Sequence, residues 1–143
     1  MITYIEIILE KMSHCCPYLT TAVDCDHLAC ISTLIANGAF VDEGSGFFAQ
    51  THLYIAVARG SHVCAETLIS HGADVNTRDL VHNTPLHIAV QNGHIECVRT
   101  LLSHGADFDA INVMGESIMD MATNDEVKEL IQKYKFPVTK RAI

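Results

Sequence analysis

The chain has 143 residues, a formal net charge of −8 and a 49% hydrophobic composition that includes six cysteines but no tryptophan. That length suits one domain with a continuous core. No run of 18 apolar residues occurs and the first residues lack the basic start of a secretion signal, which excludes a spanning helix and a secretory leader from the expectation. A soluble cytoplasmic or nuclear protein with reduced cysteines is expected. Charge is uneven, with four basic and sixteen acidic residues over 1–127, and five basic residues against Glu129 over 128–143. An acidic body repels phosphate backbones, so no nucleic-acid partner is expected; the basic end reads first as a solvated tail.

In chain order, Ile2, Ile5, Ile8, Leu9 and Met12 fall on one face of a helix within a lead-in over 1–16 that would cover the exposed core of the first repeated unit. That first unit, over 17–45, places Leu19, Ala22, His27, Leu28, Cys30, Leu34, Ile35, Gly38, Ala39 and Asp42 in register with the next unit at a spacing of 34. The additional residue falls within 43–50. The second unit, 46–78, and the third, 79–111, are near copies 33 residues apart, from Thr51 and Thr84 respectively. A fixed period of this size marks a stacked-repeat protein.

The third unit is the clearest. Thr84 can cap a helix whose first turn accepts Pro85. Leu86, Ile88 and Ala89 supply an apolar face, and Asn92-Gly93 ends the helix. Ile95, Cys97, Val98, Leu101 and Leu102 then predict a second helix, closed by a left-handed Gly105. In the second unit His52 replaces the proline and Tyr54 replaces His87. His62 stands in the apolar slot of Leu28 and Ile95, with Val63 in the polar slot, predicting a rotated or loosened start to that helix. In the fourth unit, 112–135, Gly115, Met119 and Ala122 keep the first-helix register. Asn124-Asp125-Glu126 then leads early into Val127, Leu130 and Ile131, and 136–143 forms the basic tail.

Thr84-Pro85-Leu86-His87 with Ala89, followed by Gly93-His94, Leu101-Leu102 and Gly105-Ala106-Asp107, closely resembles the ankyrin repeat. The resemblance implies an all-α solenoid of stacked helix-turn-helix repeats with β-hairpin fingers, the first repeat divergent and the last truncated. It implies non-catalytic protein recognition, as an adaptor or a stoichiometric inhibitor, through finger tips and the concave face. The four-repeat layout is similar to ankyrin inhibitors of cyclin-dependent kinases or of transcription factors, and equally to pathogen effectors. By the same resemblance His87 hydrogen-bonds near the start of its helix. Asn76, with Leu68, Asp74 and Val75 ahead of it, matches the pattern modified by an asparaginyl hydroxylase.

Mapped onto this chain, the tips hold three apolar pairs, Phe47-Phe48, Leu80-Val81 and Val113-Met114. An apolar stripe of this kind marks an interaction surface; the alternative is that neighbouring tips bury one another, with Phe48 folded back into its loop. The first-helix row offers Asp24, Ala58, Arg59, Gln91, Asn92, Asn124 and Asp125, with Arg78 and Asn83 flanking the tips. Arg59 and Arg78 read as isolated cations suited to a partner's carboxylates.

Cys30, Cys64 and Cys97 occupy one position in three successive repeats. Packed helices lie about 8–10 Å apart, too far for a shared zinc or a disulfide, so these read as core thiols. A rival of another class is a metal- or redox-responsive protein using His14, Cys15, Cys16 and Cys25, although no C-x-x-C spacing supports it. No nucleophile adjoins a base and an orienting acid, and no phosphate loop occurs. The expectation is therefore no catalysis, no cofactor, no metal, no obligatory small-molecule ligand and no membrane insertion; the partner is another protein.

Overall fold

The computed structural model describes residues 19–42 and 50–136; the lead-in over 1–16, the Phe47-Phe48 pair and the tail beyond Phe136 lie outside them. Helices α1 (Leu19–Asp24) and α2 (Leu28–Ala36) form the first repeat, α3 (His52–Ala58) and α4 (His62–Ser70) the second, α5 (Pro85–Gln91) and α6 (Ile95–Ser103) the third, and α7 (Ile118–Met121) and α8 (Asp125–Lys135) the fourth.

Short helices need defined starts. Thr51, Thr84 and Ser117 accept hydrogen bonds from the backbone amides of Tyr54, His87 and Asp120, each such cap stabilising by about 1 kcal/mol. Two of them are closed boxes. His87 Nδ1 accepts from the Thr84 amide at 3.0 Å, as Asp120 Oδ2 accepts from the Ser117 amide at 2.9 Å. Asn124 caps α8 through the Val127 amide at 2.8 Å. Acidic Asp125 and Glu126 open that helix and Lys133 and Lys135 close it, the arrangement its dipole favours.

The expected rotation at His62 is absent. Helix α4 has nine residues, like α2 and α6, and Ser61 caps it through the Cys64 amide. Cys64, Ala65 and Leu68 are buried in the register of Cys97, Val98 and Leu101. His62 and Val63 are both exposed, whereas Leu28 and Ile95 in the slot of His62 are half-buried against the core, so the exchange gives up that one contact while the helix keeps its register.

First helices pack against first helices and second helices against second helices along the stack. One apolar cluster runs through all four repeats, with Leu53, Leu68, Leu86, Leu101, Ile118 and Ile131 fully buried. Each such side chain contributes about 1.5–3 kcal/mol of burial.

Between repeats the chain makes projecting fingers. The second finger spans 73–84 and the third 106–117. Asp79 Oδ1 accepts from the amides of Val81 and Asn83, both at 2.9 Å. One repeat later Asn112 Oδ1 accepts from Met114 and Glu116, both at 3.0 Å. Each turn needs a left-handed residue, supplied by Gly115 at φ 78° and by His82 at φ 61°. Beyond an isolated antiparallel bridge between Ile111 and Ser117, these two fingers are compact turns rather than regular strands.

A polar joint repeats along the finger bases. Asp42 Oδ1 accepts from the Asp74 amide at 3.0 Å, and Asn76 Oδ1 from the Asp107 amide at 2.8 Å. The same position in the third finger, Asp109, accepts from Lys135 Nζ at 2.7 Å. The last helix thus supplies the donor that a further repeat would otherwise bring.

Close approach is sharpest at Gly60, where φ is +78° and an added Cβ would lie 2.9 Å from the His94 ring. That ring is held by the Ala58 carbonyl at 3.3 Å. Gly60→Ala is expected to lower stability by about 2–3 kcal/mol, combining left-handed strain with overpacking. Gly72→Ala, with φ +96° and open space around it, should lose only about 1 kcal/mol. Urea denaturation of the two variants checks the difference; equal losses would remove the packing component.

Candidate functional site

The described tip residues form one exposed apolar patch. Leu80 is 63%, Val81 39%, Val113 57% and Met114 72% exposed, with Ile111 beside them. The two fingers stand against each other through a main-chain bond from the Val113 amide to the Val81 carbonyl, 3.0 Å. Asn112 Nδ2 adds a bond to Asn83 Oδ1 at 3.1 Å. The tips are therefore joined by backbone and polar side chains while their apolar side chains remain in water. Phe47 and Phe48 lie outside the described residues.

The polar candidates divide differently from expectation. Arg59 is not an isolated cation, because its guanidinium lies 3.6 Å from the Asp24 carboxylate on the preceding repeat. Both side chains are about half exposed, so the pair adds little stability, but the charge is already partnered. Arg78 is exposed and makes no ion pair among the described residues. Gln91 is exposed, whereas Asn92 reaches the Ala58 carbonyl at 3.4 Å. Asn83 is half-buried, its amide donating to Asp79 and its side-chain oxygen accepting from Asn112 Nδ2; it holds the tips rather than presenting itself. Asn76 is similarly engaged, donating to the Gly105 carbonyl at 3.4 Å and accepting from Asp107.

Asp79 is the residue that sequence reasoning missed. It is buried, organises the tip turn, and its charge acts on the Tyr54 hydroxyl. Burial first, then the Asp79 charge and hydrogen bond, pushes Tyr54 up to about 12. The available signal was the recurrence of Asp79 as Asn112, one repeat apart, since both side chains can cap their own turns.

The buried His87, Cys64 and Cys97 serve the packed core. His87 is fully buried with its Nδ1 accepting from Thr84. Burial lowers its pKa, opposed by the backbone of Glu116 and Ala110, although Nε2 lacks a well-aligned hydrogen bond. Burial pushes the Cys64 thiol up to about 12 and the Cys97 thiol up to about 11, leaving neither reactive at neutral pH. Cys25 is exposed and Cys30 half-buried. His14, Cys15 and Cys16 lie outside the described residues. Among the described residues no three His, Cys, Asp or Glu side chains converge to hold a metal, and no helix is long and apolar enough to cross a membrane.

A family model for ankyrin repeats (3 copies) matches residues 19–112 and 80–140. Over 58 residues the chain is 40% identical to a Fowlpox virus (strain NVSL) protein named as an ankyrin repeat protein, an alignment covering 41% of this chain and 20% of that one. The chain thus matches about a fifth of that relative's length.

The buried groups have two measurable consequences. Because the folded pKa of His87 is lowered, its neutral form is the one the fold favours. The associated stability is present above the unfolded value of about 6.5 and is lost as pH falls below it. Thermal denaturation at stepped pH from 7.5 to 5.5 should show a fall in midpoint that His87→Asn makes shallower; an unchanged slope would contradict the assignment. In native protein under reducing conditions, iodoacetamide should label Cys25 readily and spare Cys64 and Cys97 until denaturant is added, read by peptide mass.

Proposed function

This chain belongs to the ankyrin-repeat family, a family of generally non-enzymatic protein-interaction modules, and from that premise we propose that it holds one partner protein through its finger tips and concave face, as an adaptor or stoichiometric inhibitor. The observation that carries the finger-tip assignment is the exposed patch of Leu80, Val81, Val113 and Met114. Contiguous apolar surface of this kind is ordinarily covered by a partner, and Met is among the side chains enriched where interfaces form.

The first-helix row is the secondary contact. Gln91 is an open group on it and Arg78 another beside the tips, whereas Arg59 offers a charge shared with Asp24. Cys64, Cys97 and His87 are already committed to the packed core, which favours recognition over catalysis at these groups.

A pull-down under reducing conditions, with mass-spectrometric identification, tests the reading. Wild type is compared with Leu80→Asp/Val113→Asp, both checked by circular dichroism. Aspartates at two central contacts should remove about 2 kcal/mol or more each at a hot spot, so the double variant should remain helical and lose the partner. Capture equal to wild type by the folded variant would move the site to the first-helix row.

A further inference from the structure

The first helices of the second, third and fourth repeats begin alike, but the residue three places after each cap differs. Thr51, Thr84 and Ser117 are the caps, and Tyr54, His87 and Asp120 are those third residues. Burial first, then the Asp79 charge, pushes Tyr54 up to about 12, so it stays neutral in mild acid. The Ser117 amide and hydroxyl hold the Asp120 carboxyl below its usual range, so it stays charged. An imidazole, by contrast, ordinarily titrates near about 6.5. In this row a change of charge between about pH 7.5 and 5 belongs to His87.

The bonds of His87 depend on its neutral form. Its Nδ1 accepts from the Thr84 amide at 3.0 Å, and the Thr84 hydroxyl lies 2.9 Å from the same nitrogen. An accepting Nδ1 has its lone pair free, so the neutral ring carries its proton on Nε2. Backbone also acts on the ring from Glu116 and Ala110, both in the third finger, and favours protonation as carbonyl oxygens do. The ring therefore ties the start of α5 to the two residues that bracket the third tip turn. On the second-finger side Arg78 opposes a charge on the ring and Asp79 favours it. The Glu116 carboxylate is engaged by Asn112 Nδ2 at 2.8 Å, and the equivalent places on α3 and α7 hold neutral Tyr54 and Asp120.

We propose that His87 is a proton-operated clasp on the third finger: a proton added at Nδ1 opens the Thr84 cap and loosens the finger over 110–116, while the stacked core stays closed. A protonated Nδ1 and the Thr84 amide would be two donors facing each other. The ring is fully buried, and a close-packed interior leaves it no room to turn. Either the cap opens or Ala110 and Glu116 give way, and in both cases the finger loses its anchor on α5. The core beneath is apolar and carries no group that responds to the proton. Val113 and Met114 belong to this finger, so the tip patch would come apart with it, whether or not a partner uses that patch.

The test uses the full chain labelled with nitrogen-15, stepped from about pH 7.5 to 5.0. The His87 ring nitrogens should report the Nε2–H tautomer at the start and a protonated ring at the end. Over the same titration, hydrogen-exchange protection of the Asn112 and Val113 amides, corrected for the intrinsic rate, should fall roughly tenfold, as for loss of about one hydrogen bond. Those amides are bonded to the Glu116 and Val81 carbonyls at 3.1 and 3.0 Å. Protection at Leu68 and Leu101 should not change. In His87→Asn, whose side-chain oxygen can take the acceptor place of Nδ1, the fall at 112–113 should be absent. A ring that stays neutral to pH 5.0, a fall whose midpoint differs from that of the ring, or an equal fall in His87→Asn would each overturn the proposal. A loss shared by Leu68 and Leu101 would also overturn it, because the whole stack would then be opening. Should His87→Asn fail to fold, the two midpoints in the wild type decide by themselves.

Discussion

Helices of seven and nine residues, such as α3 and α4 or α5 and α6, are shorter than those that persist alone in water. They hold because each pair is covered by the next, and that mutual burial is the condition on which the rest of the molecule depends. The covered row runs from Val23 and Ile31 through Leu53, Leu68, Leu86 and Leu101 to Ile118 and Ile131. Stability in such an array sums over neighbouring interfaces. Divergence is accepted wherever it leaves that row alone, as at exposed His62 and Val63.

Stacking at a fixed spacing brings the same polar positions side by side once per repeat. Asp42, Asn76 and Asp109 are one position seen three times, and each satisfies a donor from the next element along the stack. Asp79 and Asn112 are another, each folding a tip turn with a side-chain oxygen. The fingers are thus held by polar bonds at their bases and turns. Their tip side chains are left without a structural duty, which is why Leu80 and Met114 can be apolar and exposed together.

That separation of roles shapes the functional reading. Buried Cys64, Cys97 and His87 are kept in neutral forms by the apolar stack around them, while several polar groups on the first-helix row are occupied by the neighbouring repeat. The tips combine accessible apolar surface with turns held in shape by Asp79 and Asn112. Recognition there would use a surface whose shape is set by the stack rather than by the loops' own sequence, so a partner meets a preformed site.

The repeat period, the Thr84 helix start and many core positions were legible in the sequence. They rest on contacts within a few residues: the Thr84 cap at the start of its helix, and apolar side chains spaced along one helical face. The resemblance of Thr84 to Asp107 to a known repeat added the order in which those helices stack. What the sequence did not reveal were the bonds between residues about one repeat apart. Arg59 looked free because Asp24 lies far away along the chain, and Asn76 and Asn83 looked available for the same reason. The start of α4 was misread for the converse reason: a polar-for-apolar exchange matters only where the stack covers it. Local chemistry therefore determined which segments fold and where they begin. Tertiary stacking alone decided which side chains are consumed at the joints and which remain exposed, because only the spacing between packed repeats brings those distant groups within hydrogen-bonding reach.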